Sequence, residues 1–381
     1  MPSFTKSALN LSLVPLMLAS CGATTDVESS DAAIAVEERG TFDEPWAAAF
    51  VPGTQVLVVT EKAGQLRGFD TASGRRFDIA GAPQVDFGGQ GGLGDVAFLA
   101  SESDNAIGRR TIYLSWAEAG EDGTRGAAVG KGTLVCGAAL DCAVSGLAVI
   151  WRQTPKVTGR GHYSHRLTFS PDGQYLFVTS GERQKFDPAQ DTSNTLGTIV
   201  RLNLDGTPAE GNPLADAGSP TDQIWSYGHR NMLGIGWDAQ GRLWEVEHGP
   251  DGGDEFNLVK PGQNYGWPVV SNGSHYDGKP IPDHITRPEF AAPAVSWTPV
   301  IAPGGMIFYR GDLFAGWKGD ALIAGLGAQG LVQVRIEGDS AREVARHDLG
   351  NRIRAVIEAP DGAIWVLEDG PGGRLLRLTP G

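Results

Sequence analysis

The residues of this 381-residue chain that are best suited to chemistry lie close together, between Tyr227 and Pro268. Imidazole, guanidinium, amide and carboxylate groups alternate there with glycines, and they belong to His229, Arg230, Asn231, His248, Asp251, Asp254 and Glu255. Carboxylates beside turn carbonyls are the oxygen ligands that Ca²⁺ takes, about six to eight at a time, and glycine lets backbone carbonyls approach a ligand closely. A solvated acidic turn would need only the carboxylates, so the whole set favours a metal or ligand site.

A second candidate lies near the end of the chain, where Arg352 and Arg354 flank Ile353. On a strand, side chains two residues apart point to one face, so both guanidinium groups would lie opposite Ile353. The planar donor fork of arginine matches a carboxylate. The pair could therefore clamp an anionic ligand, although an ordinary exposed arginine pair has the same spacing.

The elements that must position these groups are strands. β-Rich runs bounded by turn residues, such as residues 175–179 and 363–367, recur from about Phe42 onward, and there is almost no helical pattern. The 54 glycines and 23 prolines fit many short strands joined by turns.

A turn that ends in glycine precedes several of these strands, at Gly53, Gly173, Gly241 and Gly362. The glycines are 120, 68 and 121 residues apart, which fits two, one and two units of about 60 residues and about six units in all. We therefore predict an all-β fold, a six-bladed β-propeller with four-stranded antiparallel blades. A large β-sandwich would not repeat this turn, and a β-helix of short rungs would have a shorter period.

The N-terminus has the features of an export signal. Lys6 supplies a positive charge, and residues 8–19 are mostly apolar but too few to span a bilayer. Residues 18–21, Leu-Ala-Ser-Cys, resemble the lipobox of bacterial lipoproteins, in which the cysteine is acylated. Gly22 is not the Asp that would suggest inner-membrane retention. An ordinary signal peptide with an incidental cysteine is the alternative.

These features predict residues 1–20 as a lipoprotein signal peptide, 21–40 as a flexible tether without a core pattern, and 41–381 as the propeller domain. The protein would be exported to the periplasmic side and anchored to the outer membrane only through a lipid on Cys21. In such a compartment Cys136 and Cys142 could close a hairpin as a disulfide, and their spacing does not fit a zinc site.

The charge of the chain limits its partners. The formal net charge is −14 and no cluster of Lys and Arg stands out. Nucleic acid is therefore not an expected partner, because phosphate binding needs a basic surface.

Three segments carry a resemblance to a known family: residues 227–231 (YGHRN), 247–257 (EHGPDGGDEFN) and 262–268 (GQNYGWP). They closely resemble the PQQ-dependent soluble aldose sugar (glucose) dehydrogenases. The resemblance extends through nearly the whole chain after the signal, with further marks at residues 89–93, 161–167, 190–197, 301–306 and 351–354.

The resemblance implies roles for individual residues. His162 corresponds to the catalytic base, and Arg230 and Asn231 correspond to residues at the quinone of PQQ. Gln90 matches a glutamine near both cofactor and sugar, and His248 matches a position beside PQQ. Arg352 and Arg354 would then bind carboxylates of the cofactor.

The resemblance also implies two calcium ions. One would bridge PQQ to the backbone carbonyls of Gly249 and Pro250 and act as a Lewis acid. The other would be structural, near Glu255 and the carbonyl of Tyr265.

The sequence departs from the family pattern at four positions. Gly327 stands where some relatives have a Lys against PQQ, and Ala355 replaces a common Asp. Gly161 replaces an Asp beside the catalytic His, so we expect that orienting group to be absent. His165 occupies a usual Gly position and could reshape the pocket mouth. His162 and His165 would face opposite sides of a strand, which disfavours a two-histidine metal site.

The implied reaction is oxidation of the anomeric C1 hydroxyl of an aldose, such as glucose, to a lactone. The electrons would pass to an external respiratory carrier, a quinone or a cytochrome, because the chain has no Cys-x-x-Cys-His haem motif. Two alternatives remain. A calcium-dependent propeller lactonase would not need the arginine pair, and a non-catalytic sugar- or protein-binding propeller would need neither His162 nor Gln90.

Overall fold

The structure of the protein is a computed structural model that describes residues 1–3 and 34–381. The described residues contain 24 strands, a few short 3₁₀ turns and no α-helix, so the prediction of an all-β protein is confirmed. They contain no helix long and apolar enough to cross a membrane. The predicted signal peptide, apart from residues 1–3, and the lipid site at Cys21 lie outside the described residues.

The strands are short and follow one another closely along the chain. The first twelve are β1 (Ile34–Phe42), β2 (Pro45–Phe50), β3 (Val56–Glu61), β4 (Gln65–Asp70), β5 (Arg75–Ala80), β6 (Leu93–Phe98), β7 (Arg109–Ala119), β8 (Arg125–Cys136), β9 (Cys142–Arg152), β10 (Ser164–Phe169), β11 (Tyr175–Ser180) and β12 (Thr198–Asn203). The remaining twelve are β13 (Ile224–Tyr227), β14 (Met232–Trp237), β15 (Leu243–Glu247), β16 (Asp254–Val259), β17 (Val295–Trp297), β18 (Pro303–Phe308), β19 (Ala321–Gly325), β20 (Gly330–Glu337), β21 (Ser340–Asp348), β22 (Ile353–Glu358), β23 (Ile364–Glu368) and β24 (Gly373–Pro380). The 3₁₀ turns are Ala100–Glu102, Glu121–Gly123, Asp187–Gln190, Ala215–Ala217, Thr221–Gln223, His284–Thr286 and Ala315–Trp317.

The strands pair in antiparallel groups of four. β10–β13, β14–β17 and β18–β21 each form one sheet in chain order, and β22–β24 form a fourth sheet with β1 at its edge. The remaining sheet has eight strands in the order β2-β3-β4-β5-β9-β8-β7-β6. Its two antiparallel halves are joined by a short parallel pairing of β5 with β9.

The repeated glycine turn connects the first two strands of a group in each of the four places where it was recognised. Gly53, Gly173, Gly241 and Gly362 all have left-handed backbone conformations, with φ of 83°, 71°, 73° and 80°. Only glycine adopts this conformation without a steric cost. The same type of glycine turn therefore connects equivalent pairs of strands in different sheets.

The domain begins earlier than predicted. Residues 34–40 were expected to belong to the flexible tether, but they lie in β1, which pairs with β24 from Ile34 opposite Pro380 to Phe42 opposite Gly373. Phe42 is buried, and its ring packs edge-on against Phe69 at 6.4 Å. Phe69 lies in β4, so this contact joins the sheet of β1 to the eight-stranded sheet.

The predicted disulfide is present in the structure. Cys136 at the end of β8 lies directly opposite Cys142 at the start of β9, and an S–S bond of 2.03 Å joins them. The bond closes the outer hairpin of its four-stranded group.

Candidate active site

Most of the predicted cofactor ligands line one cavity of about 230 Å³. Five of them contribute to its wall: Gln90, Asn231, His248, Arg352 and Arg354. Lys62 lies in the same wall, and no aspartate or glutamate among the described residues is part of it. The charged lining of this cavity is therefore entirely cationic, in a protein with 45 acidic and 31 basic residues.

A second cavity of about 440 Å³ contains His162, Arg230 and Pro250. Two hydrogen bonds connect it to the first cavity. Nη1 of Arg230 donates to the carbonyl of His248 at 3.1 Å, and the backbone N–H of His162 donates to Oε1 of Gln90 at 2.6 Å. The predicted catalytic and cofactor residues thus lie in two adjoining cavities.

His162 is held by a carboxylate that the sequence did not suggest. Its Nδ1 lies within hydrogen-bond distance of Oε1 of Glu182. Oε2 of Glu182 accepts the backbone N–H groups of Lys185 at 2.5 Å and Phe186 at 2.8 Å. This carboxylate fixes the tautomer with the proton on Nδ1 and leaves the lone pair on Nε2. Gly161 itself supplies no orienting group, as expected, and the acid comes instead from the segment after β11.

The backbone around His162 is strained. His162, Ser164 and His165 all have positive φ, of 49°, 57° and 53°, which is unfavourable for residues with a Cβ. Arg183 holds this segment in place, since its Nε donates to the carbonyl of Gly161 at 2.8 Å. Its backbone N–H donates to the carbonyl of His162 at 3.2 Å. Burial lowers the pKa of Arg183 to about 10, so this guanidinium remains charged at neutral pH.

The protonation state of His162 follows from its surroundings. Burial lowers its pKa most, the hydrogen bond to Glu182 offsets part of this effect, and the charges of Arg230 and Arg183 lower the pKa further. The imidazole is therefore neutral at pH 7. A neutral imidazole with Nδ1–H bound to a carboxylate is suited to act as a general base through Nε2.

The arginine pair has the arrangement that strand spacing predicts. Nε of Arg352 and Nε of Arg354 bind the two oxygens of Asp369, at 3.0 and 2.8 Å, whereas Ile353 is fully buried in the core. Asp369 holds both guanidinium groups on one side of the strand. Two cations share one carboxylate, so this part of the cavity wall keeps a net positive charge.

Two other histidines line the first cavity, and both are neutral. Burial lowers the pKa of His248 and of His165 to about 3. Nε2 of His248 donates to the carbonyl of Pro303 at 2.8 Å. The ring of His165 stacks on Trp46 with 4.9 Å between centroids, and its Nδ1 lies 2.8 Å from Oγ of Ser115. His165 is thus a fixed part of the cavity wall, and it lies in a different cavity from His162.

The predicted metal region contains acidic residues that face each other across two strands. Glu247 in β15 is directly opposite Glu255 in β16, and Glu245 is opposite Asn257. All four are buried. Burial and the neighbouring carboxylate of Glu247 raise the pKa values of both Glu245 and Glu255 well above their usual range. Like charges opposite one another destabilise a sheet, so this cluster favours binding of a cation.

Three of the four predicted calcium ligands, Gly249, Glu255 and Tyr265, lie beside this cluster, whereas Pro250 lines the 440 Å³ cavity. Nε2 of His284 donates to the carbonyl of Tyr265 at 3.1 Å, and its Nδ1 lies 3.8 Å from Oε1 of Glu255. A small cavity of about 10 Å³ is lined in part by Glu247, Gly249, Glu255 and Tyr265. One carboxylate oxygen of Glu245 has no hydrogen-bond partner. Buried carboxylates beside backbone carbonyls are a donor set that fits Ca²⁺.

Six charged residues in or beside the two sites were not among the sequence predictions: Lys62, Glu182, Arg183, Glu245, Glu247 and Asp369. Glu245 and Glu247 do have a local signal, because they alternate on the strand that leads into the predicted metal loop. Lys62, Glu182 and Asp369 come from three other parts of the chain, and nothing in their immediate sequence indicates their partners.

The chain belongs to the glucose/sorbosone dehydrogenase family, whose family model matches residues 42–377. It is 37% identical over 346 residues to aldose sugar dehydrogenase YliI of Escherichia coli (strain K12), covering 89% of this chain and 91% of that protein.

The chain is also similar to solved structures of aldose sugar dehydrogenases. The soluble aldose sugar dehydrogenase (Asd) from Escherichia coli in its apo form has a TM-score of 0.83 and 35% identity, and covers 92% of this chain and 100% of that one. The PQQ-bound form of aldose sugar dehydrogenase (Adh) from Streptomyces coelicolor has a TM-score of 0.72 and 25% identity, covering 91% and 98%.

Proposed function

We propose that this protein is a PQQ- and Ca²⁺-dependent aldose sugar dehydrogenase. It would oxidise the anomeric C1 hydroxyl of an aldose such as glucose to the lactone and pass two electrons to an external acceptor, a respiratory quinone or cytochrome. One observation carries the proposal: a neutral, carboxylate-oriented His162 adjoins a cavity whose charged wall residues are all cations. Membership of the family and the PQQ-bound relative from Streptomyces support the cofactor.

The residues of the chain have distinct roles in this reaction. Nε2 of His162 takes the proton of the anomeric hydroxyl, while Glu182 stabilises the imidazolium that forms. Arg230, whose buried Nε has no hydrogen-bond partner among the described residues, would stabilise the negative charge that the hydride acceptor gains. When bound, PQQ supplies an ortho-quinone that accepts the hydride.

The first cavity fits a polyanionic cofactor. Arg352 and Arg354 would bind its carboxylates, while Gln90, Asn231 and His248 would complete the polar wall. A lactonase has no need for this concentration of cations, which favours the dehydrogenase over the hydrolase.

Two calcium ions are part of the proposal. Glu255 and the carbonyl of Tyr265 would hold a structural ion, with Glu245 and Glu247 close enough to add negative charge. The carbonyls of Gly249 and Pro250 would hold an ion at the cofactor, where a Lewis acid makes the quinone a better hydride acceptor.

We also propose that the domain is a six-bladed β-propeller. The eight-stranded sheet divides into two antiparallel groups, β2–β5 and β6–β9, which with the other four sheets makes six groups. The first strands of consecutive groups lie side by side, in the order β2, β6, β10, β14, β18 and β22, and β22 lies beside β2 again. This cyclic order supports a closed ring.

The cellular location is a proposal from the sequence. Residues 1–20 would direct export, and a lipid on Cys21 would anchor the protein at the periplasmic side of the outer membrane. The segment between this anchor and β1 would act as the tether.

The experiment that tests the function is dye-linked glucose oxidation by protein lacking residues 1–20. We expect activity only after addition of PQQ with Ca²⁺, and at least about a hundredfold lower activity in His162→Ala. A thermal unfolding curve checks that the variant is folded. Visible absorption should show a stoichiometric complex with PQQ, and a wild-type protein that binds no PQQ would refute the proposal.

A further inference from the structure

We propose that Lys62 is a third cationic ligand for the carboxylates of the cofactor, beside Arg352 and Arg354. Lys62 lies in the turn between β3 and β4, on the side of the 230 Å³ cavity formed by Gly89 and Gln90. The inference rests on the proposed function, because it takes the ligand of this cavity to be the tricarboxylate PQQ.

The main chain of Lys62 is fixed at both ends. Its N–H donates to the carbonyl of Glu44 at 3.0 Å, and its carbonyl accepts the N–H of Leu93 at 2.9 Å. A Cβ added to Gly92 would lie 2.2 Å from the same carbonyl, so the Gln90 loop packs directly on Lys62. The side chain therefore starts from a defined position at the cavity.

The ammonium group has weak partners. Nζ lies 3.3 Å from the carbonyl of Gly89 and 3.5 Å from Oε1 of Glu44. These distances are longer than the contacts of 2.8 and 3.0 Å that Arg354 and Arg352 make with Asp369. An ammonium group has three N–H donors, and the described groups near Nζ are these two oxygens and the ring of Phe87, whose centroid is 5.8 Å away. Lys62 can therefore turn a donor toward a ligand at little cost.

The charged groups around the cavity have a net positive charge, which favours binding of an anion near Lys62. Among the described residues the cavity wall has three cations and no carboxylate, and the carboxylates that pair with these cations are Asp369 and Glu44. Gly327, which follows the cavity residue Leu326, has no side chain to contribute. Lys62 lines the same cavity as the arginine pair but comes from the turn between β3 and β4, so the three cations could bind more than one carboxylate of the same ligand.

The test is a titration of metal-reconstituted apoprotein with PQQ, followed by quenching of tryptophan fluorescence, since Trp46 lies in the cavity wall. We expect Lys62→Met to raise the Kd for PQQ about tenfold and Lys62→Arg to keep it within about threefold of wild type. Lys260→Met is the matched control, because Lys260 also pairs with a carboxylate, Asp339 at 2.8 Å, and lines neither cavity. Its Kd should equal that of wild type.

The trimethyl ester of PQQ separates a charge contact from a structural effect. Wild type and Lys62→Met should bind the ester with equal Kd, because the ester has no carboxylate to pair with the ammonium group. A Kd for PQQ in Lys62→Met within about twofold of wild type, or an equal loss of affinity for the ester, overturns the role of Lys62. A wild-type protein that binds no PQQ overturns the proposed function instead.

Discussion

Replacement of Glu182 by glutamine tests whether this carboxylate makes His162 a base. Glutamine keeps the length of the side chain, and its carbonyl oxygen can still accept the N–H groups of Lys185 and Phe186. The atom facing Nδ1 of His162 then becomes an NH₂ group, which donates. His162 must accept through Nδ1 and carry its proton on Nε2, the atom that the reaction needs as a lone pair.

The expected fall in kcat follows from the usual contribution of a general base to the rate. A correctly placed general base contributes about 10²- to 10⁴-fold to rate. Because His162 remains in the cavity and only its tautomer changes, we expect kcat to fall at least about a hundredfold, or about 2.7 kcal/mol of activation free energy. The KM for glucose should change little, since Glu182 is not proposed to contact the sugar.

The pH profile distinguishes positioning from a general loss of structure. Glu182 raises the pKa of His162 against the effect of burial, so its removal lowers this pKa further. The base acts only when it is neutral. The acidic limb of kcat/KM should therefore move to lower pH in Glu182→Gln, while the plateau falls.

The matched control is Glu343→Gln. Glu343 binds Arg346 at 2.8 Å and Nε1 of Trp297 at 2.7 Å, and lines neither cavity of the site. This variant should keep wild-type kcat and pH profile. The reasoning is refuted if folded Glu182→Gln keeps kcat within about threefold of wild type, or if its acidic limb moves to higher pH.

Three further predictions concern stability. Calcium at about a hundredfold excess over its Kd should raise the free energy of unfolding by about 2.7 kcal/mol, and Glu255→Gln should remove this gain, as calorimetry with calcium or a chelator can show. His165→Gly should lower the free energy of unfolding by about 2 kcal/mol in urea, because deletion of the buried ring that stacks on Trp46 costs about 3 and relief of the positive φ returns about 1; an unchanged midpoint would contradict this. Replacing Cys136 and Cys142 by serine should cost about 2 kcal/mol from loop entropy, and wild type under reducing conditions should match the variant.

The strand content of the fold could be predicted because its signals are local. The turns at Gly173 and Gly241 combine polar residues with a glycine that adopts positive φ, and apolar runs follow each of them. The predicted extent of the tether was wrong because the interaction that decides it is not local. Most residues of β1 are exposed or half-buried, and the segment is a strand only because it pairs with β24 at the other end of the chain.

The residues of the site divide in the same way, into those that the sequence predicts and those that depend on a distant partner. The resemblance identified Gln90, His162 and Arg352 as members of the site, and the structure places all three at the two adjoining cavities. Glu182 and Asp369 were missed because their importance lies in a partner: the first orients His162, and the second holds both arginines. A carboxylate that acts through a distant side chain has no pattern of its own in the sequence.

The pairing of β1 with β24 also affects the order in which the chain can fold. During synthesis β1 emerges before the 22 strands that separate it from its partner β24, so β1 has an unpaired edge while those strands are made. Contacts between residues so far apart in sequence form slowly, because the loop between them must close first. An exposed edge strand is prone to pair with other chains. Until β24 is made, the edge of β1 is therefore open to pairing with other chains.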